Sequence, residues 1–487
     1  MENVILGAYV FSLTILLLFG SHGFVMVYYY FKNRHRVPEK KPSLDSPPMV
    51  TVQLPVYNEY YVVERLIESV CRLDYPKDKL EIQVLDDSTD ETVELAASIV
   101  ERKRKEGFDI SHIRRGNRKG FKAGALRYGL ELAKGEFIAI FDADFVPRAD
   151  FLQVTLRHFV NDRIGMVQTR WEHLNTEYSF LTRAQAIALD GHFVIEQQVR
   201  NKAGFFINFN GTAGIWRRSC IEDAGNWHDD TLTEDLDLSY RAQLKGWKFV
   251  FLNDFTSPAE LPSEINALKS QQFRWTKGAI ETSKKILPLV WKAHLPLRVK
   301  LQSTLHLTNN LVFPFILLTG LLNVPLVFIK QNEAYNTFFA FMSIFVLAFI
   351  STFLFYLFSQ KDVYPDWKRR IFLFPLFMAG SMGFSVNNTR AVIEGLLNKK
   401  SAFVRTPKYR IESEKDSWRQ KKYRTAGRKF SLSVFIELLL AVYCLVGVSA
   451  SLYFLEIAAL PFQLLFFMGF GLVGFMSIQH AVPVRRA

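Results

Sequence analysis

Hydrophobic residues follow two regimes along this chain. Residues 50–300 alternate short apolar runs with amphipathic stretches and charged turns, the pattern of a soluble α/β domain. Residues 4–31 and 305–480 are dominated by Phe, Leu, Val and Ile. Within them, stretches 4–31, 305–329, 335–358, 431–455 and 460–480 each approach or exceed the ~20 residues needed to cross hydrocarbon. The first is too long for a signal-peptide core and lacks a basic start, so it reads as a retained anchor.

In the soluble part, apolar strands are expected at 50–54, 81–85 and 136–141, with helices near 62–73, 91–106 and 123–132. Such alternation implies a mostly parallel sheet, which binds ligands at the carboxyl ends of its strands. The second strand runs into Asp86-Asp87 and the third into Asp142-Ala143-Asp144. Glycines in 116–124 form no dinucleotide fingerprint, and no phosphate loop occurs, which argues against NAD and ATP.

Charge changes the picture next. The formal net charge of +13 could indicate nucleic acid, but the excess lies beside the apolar segments. Lys32, Arg34 and Arg36 follow the first, and residues 399–429 carry twelve Lys or Arg against three acids. Juxtamembrane basic residues mark the cytoplasmic face and favour anionic lipid. The same rule argues that 371–397 is interfacial or re-entrant, since crossing would separate two basic loops. Pro375, Gly380 and Gly383 interrupt that stretch, and Asn387, Asn388 and Arg390 are costly in lipid. Five spans put the amino terminus outside and the soluble domain in the cytosol. The expected divisions are an anchor at 1–35, a soluble domain with interfacial helices at 48–300 and two spans at 301–360. A basic, partly interfacial region at 361–430 and two spans with a tail at 431–487 complete the chain. Cys71, Cys220 and Cys444 are scattered, which fits a reducing compartment and no disulfide framework.

Candidate chemistry sits in four signatures: Asp86-Asp87, Asp142-Ala143-Asp144, Thr233-Glu234-Asp235, and the run Gln271, Gln272, Phe273, Arg274, Trp275. A lone Asp-x-Asp recurs by chance about once in a chain of this length, so the ordered set carries the information. Asp144, with Asp142 beside it, is the metal candidate, because carboxylate oxygens suit Mg²⁺ or Mn²⁺ on a diphosphate. A solvated loop or helix cap would use the same residues. Asp86 and Asp87 can accept hydrogen bonds from a base or ribose, or cap the helix near Glu91. Asp235 is the candidate base for an attacking hydroxyl, with Glu234 and Asp237 close enough to repel its charge. Thr233 to Asp237 also reads as a helix start with a capping threonine. On a helix, Gln271, Arg274 and Trp275 share one face, where a guanidinium suits diphosphate and an indole suits a pyranose ring. An amphipathic helix at a membrane surface would show the same spacing. The ten histidines have no zinc spacing, and His192 and His228 read as structural.

With 209–217 (FNGTAGIWR), 233–237 (TEDLD), 244–247 (LKGW) and 271–275 (QQFRW), the set resembles the inverting family 2 glycosyltransferases. The resemblance is to their membrane-embedded processive branch, nearest the cellulose synthase-like mannan and glucan synthases, and runs from about residue 50 to 408. It implies a GT-A-like nucleotide-sugar-binding domain joined to an all-α transmembrane domain. By that resemblance Asp86, Asp87, Lys122, Asp142 and Arg274 contact the nucleotide, and Asp144 with Asp142 holds Mg²⁺ or Mn²⁺. Asp235, with Glu234, provides the base, while Trp275, Gln271, Gly211 and Thr212 meet the acceptor. Phe403, Thr406 and Lys408 belong to a gating loop, in which Arg405 stands where the family carries a small apolar residue. The implied partners are UDP-glucose or GDP-mannose, a glycan acceptor, membrane lipid, no nucleic acid, and an oligomer in some settings. The implied activity is extension of a β-linked glucan or mannan, with passage of the product through the same helices as an option; a bacterial inner membrane is the expected location, with the Golgi as the alternative. Single transfer of one sugar to lipid, or an inactive scaffold, are the alternatives.

Overall fold

The computed structural model describes residues 1–44, 46–401, 404–419, 421–423 and 432–481. Among these residues, seven strands form one sheet: β1 (Val50–Val56), β2 (Leu80–Asp86), β3 (Asp109–Ile113), β4 (Phe137–Ile140), β5 (Ile164–His173), β6 (Gly214–Arg217) and β7 (Lys248–Ala259). Their order is β3-β2-β1-β4-β6-β5-β7. β3, β2, β1 and β4 run parallel, β6 lies antiparallel to β4 and β5, and β7 runs parallel to β5. The expected mostly parallel sheet is present. β1 lies between β2 and β4, so connections leave it in both directions, the position where such sheets form a ligand crevice.

Alternation along β1 explains its place at the centre. Val50, Val52, Leu54 and Val56 enter one hydrophobic core with Ile82, Val84 and Phe141. Thr51 and Gln53 face the other layer and bond across the strand pair: Thr51 Oγ1 donates to Glu81 Oε2 at 2.5 Å, and Gln53 Nε2 to Gln83 Oε1 at 3.0 Å. Buried polar groups are tolerable only when paired in this way. A second core, with Leu126, Trp216, Trp227 and Leu238, fills the opposite face. Helices Val63–Cys71, Thr92–Lys105 and Phe121–Leu132 lie within about two residues of the expected ranges. β3, β5, β6 and β7 lack a counterpart in the apolar pattern. β6 has only four residues, and β5 pairs with β7 through register shifts that break alternation.

Among the described residues, five helices are long and apolar enough to cross a membrane: Glu2–Asn33, Leu297–Ile329, Glu333–Val363, Leu432–Tyr453 and Leu460–Ala481. Stretch 371–397 is divided into the short helices Phe374–Gly383 and Ser385–Leu396. It is tied inward, since Asn387 Nδ2 donates to the Lys269 carbonyl at 3.0 Å. Lys269 belongs to the long helix Ile265–Lys292 and forms a buried ion pair with Glu437 of Leu432–Tyr453 at 2.7 Å. His480 Nδ1 accepts from the Ile265 amide at 3.1 Å. The start of the long helix is thus fastened to two membrane helices.

Candidate active site

A cavity of about 220 Å³ opens at the carboxyl edge of the sheet. β1 delivers Tyr57 and Glu59, the turn after β2 delivers Asp87, and the turn after β4 delivers Asp142 and Asp144. The first turn of helix Glu234–Leu244 adds Glu234 and Asp235, and the long helix adds Gln271, Arg274 and Trp275. Thr406 and Lys408 complete the lining. The cavity thus collects most of the residues singled out from sequence, Lys122 and Gly211 among them. Phe403 lies outside the described residues.

Two of them stand behind the wall. Asp86 is buried, accepting from the Ser88 amide at 2.8 Å with His112 Nε2 at 2.8 Å from its other oxygen. Thr212 is buried and accepts the Asp142 amide on its hydroxyl at 2.9 Å, fixing the turn that carries Asp142. Gly211 has φ +81°, and a Cβ there would lie 2.9 Å from Asp235 Oδ2. A side chain at 211 would be strained and would push against the candidate base.

The acidic groups are met by bases. Arg115 holds Asp87 through two bonds of 2.8 and 2.5 Å, Lys122 meets Asp142 at 2.5 Å, and Lys408 meets Asp144 Oδ2 at 2.5 Å. Arg405 Nη1 is 3.1 Å from Glu59 Oε2. Burial pushes Asp235 up to about 7, helped by the neighbouring Glu234 charge. Burial likewise raises Glu59 to about 8 and Glu234 and Asp142 above the usual carboxylate range. It lowers Arg274 to about 10. Burial also works against the Lys122 charge, but Asp142, Glu234 and Asp235 outweigh it and hold the ammonium firmly protonated. A carboxyl near neutrality beside paired cations suits proton acceptance at one point and anion binding around it.

Asp237 corrects the expected acidic trio. It turns away from the cavity and is held by Arg241 at 2.7 Å and Lys285 at 2.9 Å, so Glu234 and Asp235 alone share the site. Thr233 does not cap the helix through its side chain; its hydroxyl lies 3.0 Å from that of Thr282. Tyr57, Glu59 and Arg118 line the cavity without having been expected there, and Asn210 joins them from the 209–217 motif. Tyr57 and Glu59 directly follow β1, the same signal that located Asp87. Arg118, 3.3 Å from the centre of the Tyr57 ring, lies in the glycine-containing stretch weighed only as a dinucleotide motif.

Carboxylates at 142 and 144 offer hard oxygen donors, the type Mg²⁺ and Mn²⁺ take. The backbone behind them is rigid: the Asp144 carbonyl accepts from Arg65 Nη2 and the Glu260 amide, each at 3.3 Å. Donor chemistry and support both fit a divalent cation, with Lys408 as the competing charge.

A mostly parallel sheet with acidic residues at its switch point places a ligand site at this edge. Residues 47–278 match the family described as "Glycosyltransferase like family 2", a likeness that spans every acidic signature and the run 271–275. The chain is 44% identical over 258 residues to glucomannan 4-beta-mannosyltransferase 1 of Oryza sativa subsp. japonica, covering 52% of this chain and 50% of that protein. It is 45% identical over 246 residues to glucomannan 4-beta-mannosyltransferase 7 of Arabidopsis thaliana, covering 50% and 44%. The chain therefore matches about half the length of these relatives. Among solved structures, the mannosyltransferase PcManGT from Pyrobaculum calidifontis, in complex with GDP-Man and Mn²⁺, superposes with a TM-score of 0.56 at 19% identity. That alignment covers 80% of this chain and all of the other, a likeness of fold.

Proposed function

We propose that this protein is an inverting membrane glycosyltransferase that extends a β-linked polysaccharide, a β-1,4-mannan or glucan, with GDP-mannose as the first donor to test. The observation that carries the reading is the convergence of Asp87, Asp142, Asp144, Asp235, Arg274 and Trp275 on one cavity. The mannosyltransferase relatives and the GDP-Man complex of the fold neighbour support mannose over glucose.

Arg274 and Lys122 bind the diphosphate, Asp87 the nucleoside, and Trp275 stacks on the acceptor sugar. Asp235 takes the acceptor hydroxyl proton as the new C1–O bond forms and the C1–O bond to phosphate breaks. The nucleoside diphosphate leaves from the opposite face. Asp144 and Asp142 would hold a divalent cation. When bound, Mg²⁺ or Mn²⁺ supplies charge that offsets the departing diphosphate. Thr406 accepts from Arg274 at 2.9 Å, which suits the 404–408 segment as a cover for the donor.

Release of the product into the membrane region fits a second cavity. This space of about 470 Å³ lies among Glu2–Asn33, Leu297–Ile329 and Glu333–Val363, and Glu196, His306 and several Phe residues line it. Asn210 of the first cavity lies 2.9 Å from His192, and His192 lies 3.0 Å from Glu196 of the second. Among the described residues, five helices of membrane length support an integral membrane placement. The curated relatives are plant proteins and lend no support to a bacterial inner membrane.

The test is product analysis with labelled GDP-mannose, UDP-glucose and UDP-N-acetylglucosamine, beside an Asp235→Asn control. Polymer from one donor, absent in the control, supports the reading and names the sugar. Label confined to lipid would replace it with single transfer, and no Asp235-dependent product would end it.

A further inference from the structure

The long helix Ile265–Lys292 carries one stripe with two uses. Gln271, Arg274 and Trp275 face the cavity. Continuing at helical spacing, Gly278, Glu281, Thr282 and Lys285 fall on the same face, and each meets the segment that leads into Asp235.

Gly278 lies so close that a Cβ there would be 2.9 Å from the Thr233 nitrogen and 3.0 Å from the Leu232 carbonyl carbon. Glu281 Oε2 accepts the Leu232 amide at 3.1 Å, and the Thr282 and Thr233 hydroxyls are 3.0 Å apart. Lys285 Nζ then sits among three acceptors: His228 Nδ1 at 3.0 Å, Asp230 Oδ1 at 2.8 Å and Asp237 Oδ1 at 2.9 Å. His228, Asp230 and Asp237 have the spacing of a metal-binding trio, but the ammonium stands within reach of all three. Arg241 donates to the remaining Asp237 oxygen at 2.8 Å, so the carboxylate is fixed from both helices.

We propose that Lys285, with Gly278 and Thr282, is a positioning residue for the reaction, setting the distance between the base Asp235 and the Arg274–Trp275 pair. Asp235 and Asp237 share a helix turn, while Arg274 and Lys285 share a helix. Clamping Asp237 to Lys285 therefore fixes the base relative to diphosphate and acceptor without touching either. The nucleotide and metal carboxylates stand on β-strand ends outside this clamp. Loosening it displaces the base and leaves the donor seat in place. Misplacement by about 1 Å costs on the order of a hundredfold in rate.

The inference rests on the transferase reading above, and the experiment separates the two. In full-length protein in nanodiscs, Lys285→Ala, Lys285→Arg and Gly278→Ala are compared with the parent. Donor kinetics, thermal midpoint and hydrogen exchange of amides 228–237 are measured. Lys285→Ala is expected to lower kcat about a hundredfold with donor KM within about threefold. Exchange in 228–237 should rise while β1 and β2 stay protected, and Lys285→Arg should recover much of the rate. Gly278→Ala, which keeps every charge, should show the same split and serves if Lys285→Ala does not fold. Unchanged kcat in both, or joint loss of kcat, KM and midpoint with exchange rising throughout, overturns the proposal. If the parent yields no product from any donor, the transferase reading fails. Exchange in 228–237 still decides whether the clamp exists, and unchanged protection in Lys285→Ala would sink it.

Discussion

Two acidic clusters in this molecule are each neutralised by lysine, yet only one has the form of a site. At the sheet edge, Asp142 and Asp144 meet Lys122 and Lys408 within a cavity. Behind the acidic helix, Asp230 and Asp237 meet Lys285, with Arg241 on Asp237 as well. By spacing alone the cluster behind the helix is the better metal trio, since a histidine joins it. What separates them is how the lysine arrives. Lys285 comes from the interior of a helix of 28 residues, and moving it means moving that helix. Lys408 comes from the extended segment 404–411, which has no helical or ladder hydrogen bonds of its own. An ammonium on such a segment can exchange for a divalent cation without disturbing regular structure.

The comparison can be broken most sharply at the base. Asp235→Asn keeps the shape and removes the proton acceptor, so transfer should fall by about 10²–10⁴-fold with the fold intact. Loss of less than tenfold would move the base elsewhere. Asp144→Asn should follow, at about a hundredfold or more, because charge stabilisation at a diphosphate is worth several kcal/mol. Metal titration should show the affinity lost with the rate; retained Mn²⁺ binding would place the cation away from this edge. Asp230→Asn, in the cluster held by Lys285, should leave Mn²⁺ affinity unchanged, which sharpens the contrast.

A smaller effect concerns pH. Burial and the Glu234 charge raise Asp235 to about 7 in the folded protein. A base acts only when ionised, so kcat/KM should rise with pH up to about 7, level off above it, and fall about tenfold per unit below. An acid limb near the ordinary carboxylate value of about 4 would contradict the buried setting. The smallest change expected is in Lys408→Ala. Freeing Asp144 of its ammonium should tighten Mn²⁺ binding a few-fold, about 1 kcal/mol, measured calorimetrically without donor. Weaker binding would mean Lys408 supports the cation site rather than competing for it.

Much of this is legible in the chain before it folds. Strand period and apolar runs locate β1, β2 and β4, and these put Asp87, Asp142 and Asp144 at one edge, because parallel strands share a direction. Helical spacing puts Gln271, Arg274 and Trp275 on one face for an equally local reason. Membrane-length stretches declare themselves through composition alone. Tertiary packing decides the remainder. Neighbours in sequence take opposite fates: Asp87 faces the cavity while Asp86 turns to His112, and Asp235 faces it while Asp237 turns to Lys285. Ser88 and Arg241 are local partners of Asp86 and Asp237, but His112 and Lys285, 26 and 48 residues away, take the other oxygen of each, and no local pattern encodes those. Short or irregular strands such as β6 and β7 likewise exist through the neighbours that complete their hydrogen bonds. Periodicity fixes what is adjacent along the chain; only the packed molecule determines which charges are left to meet a ligand.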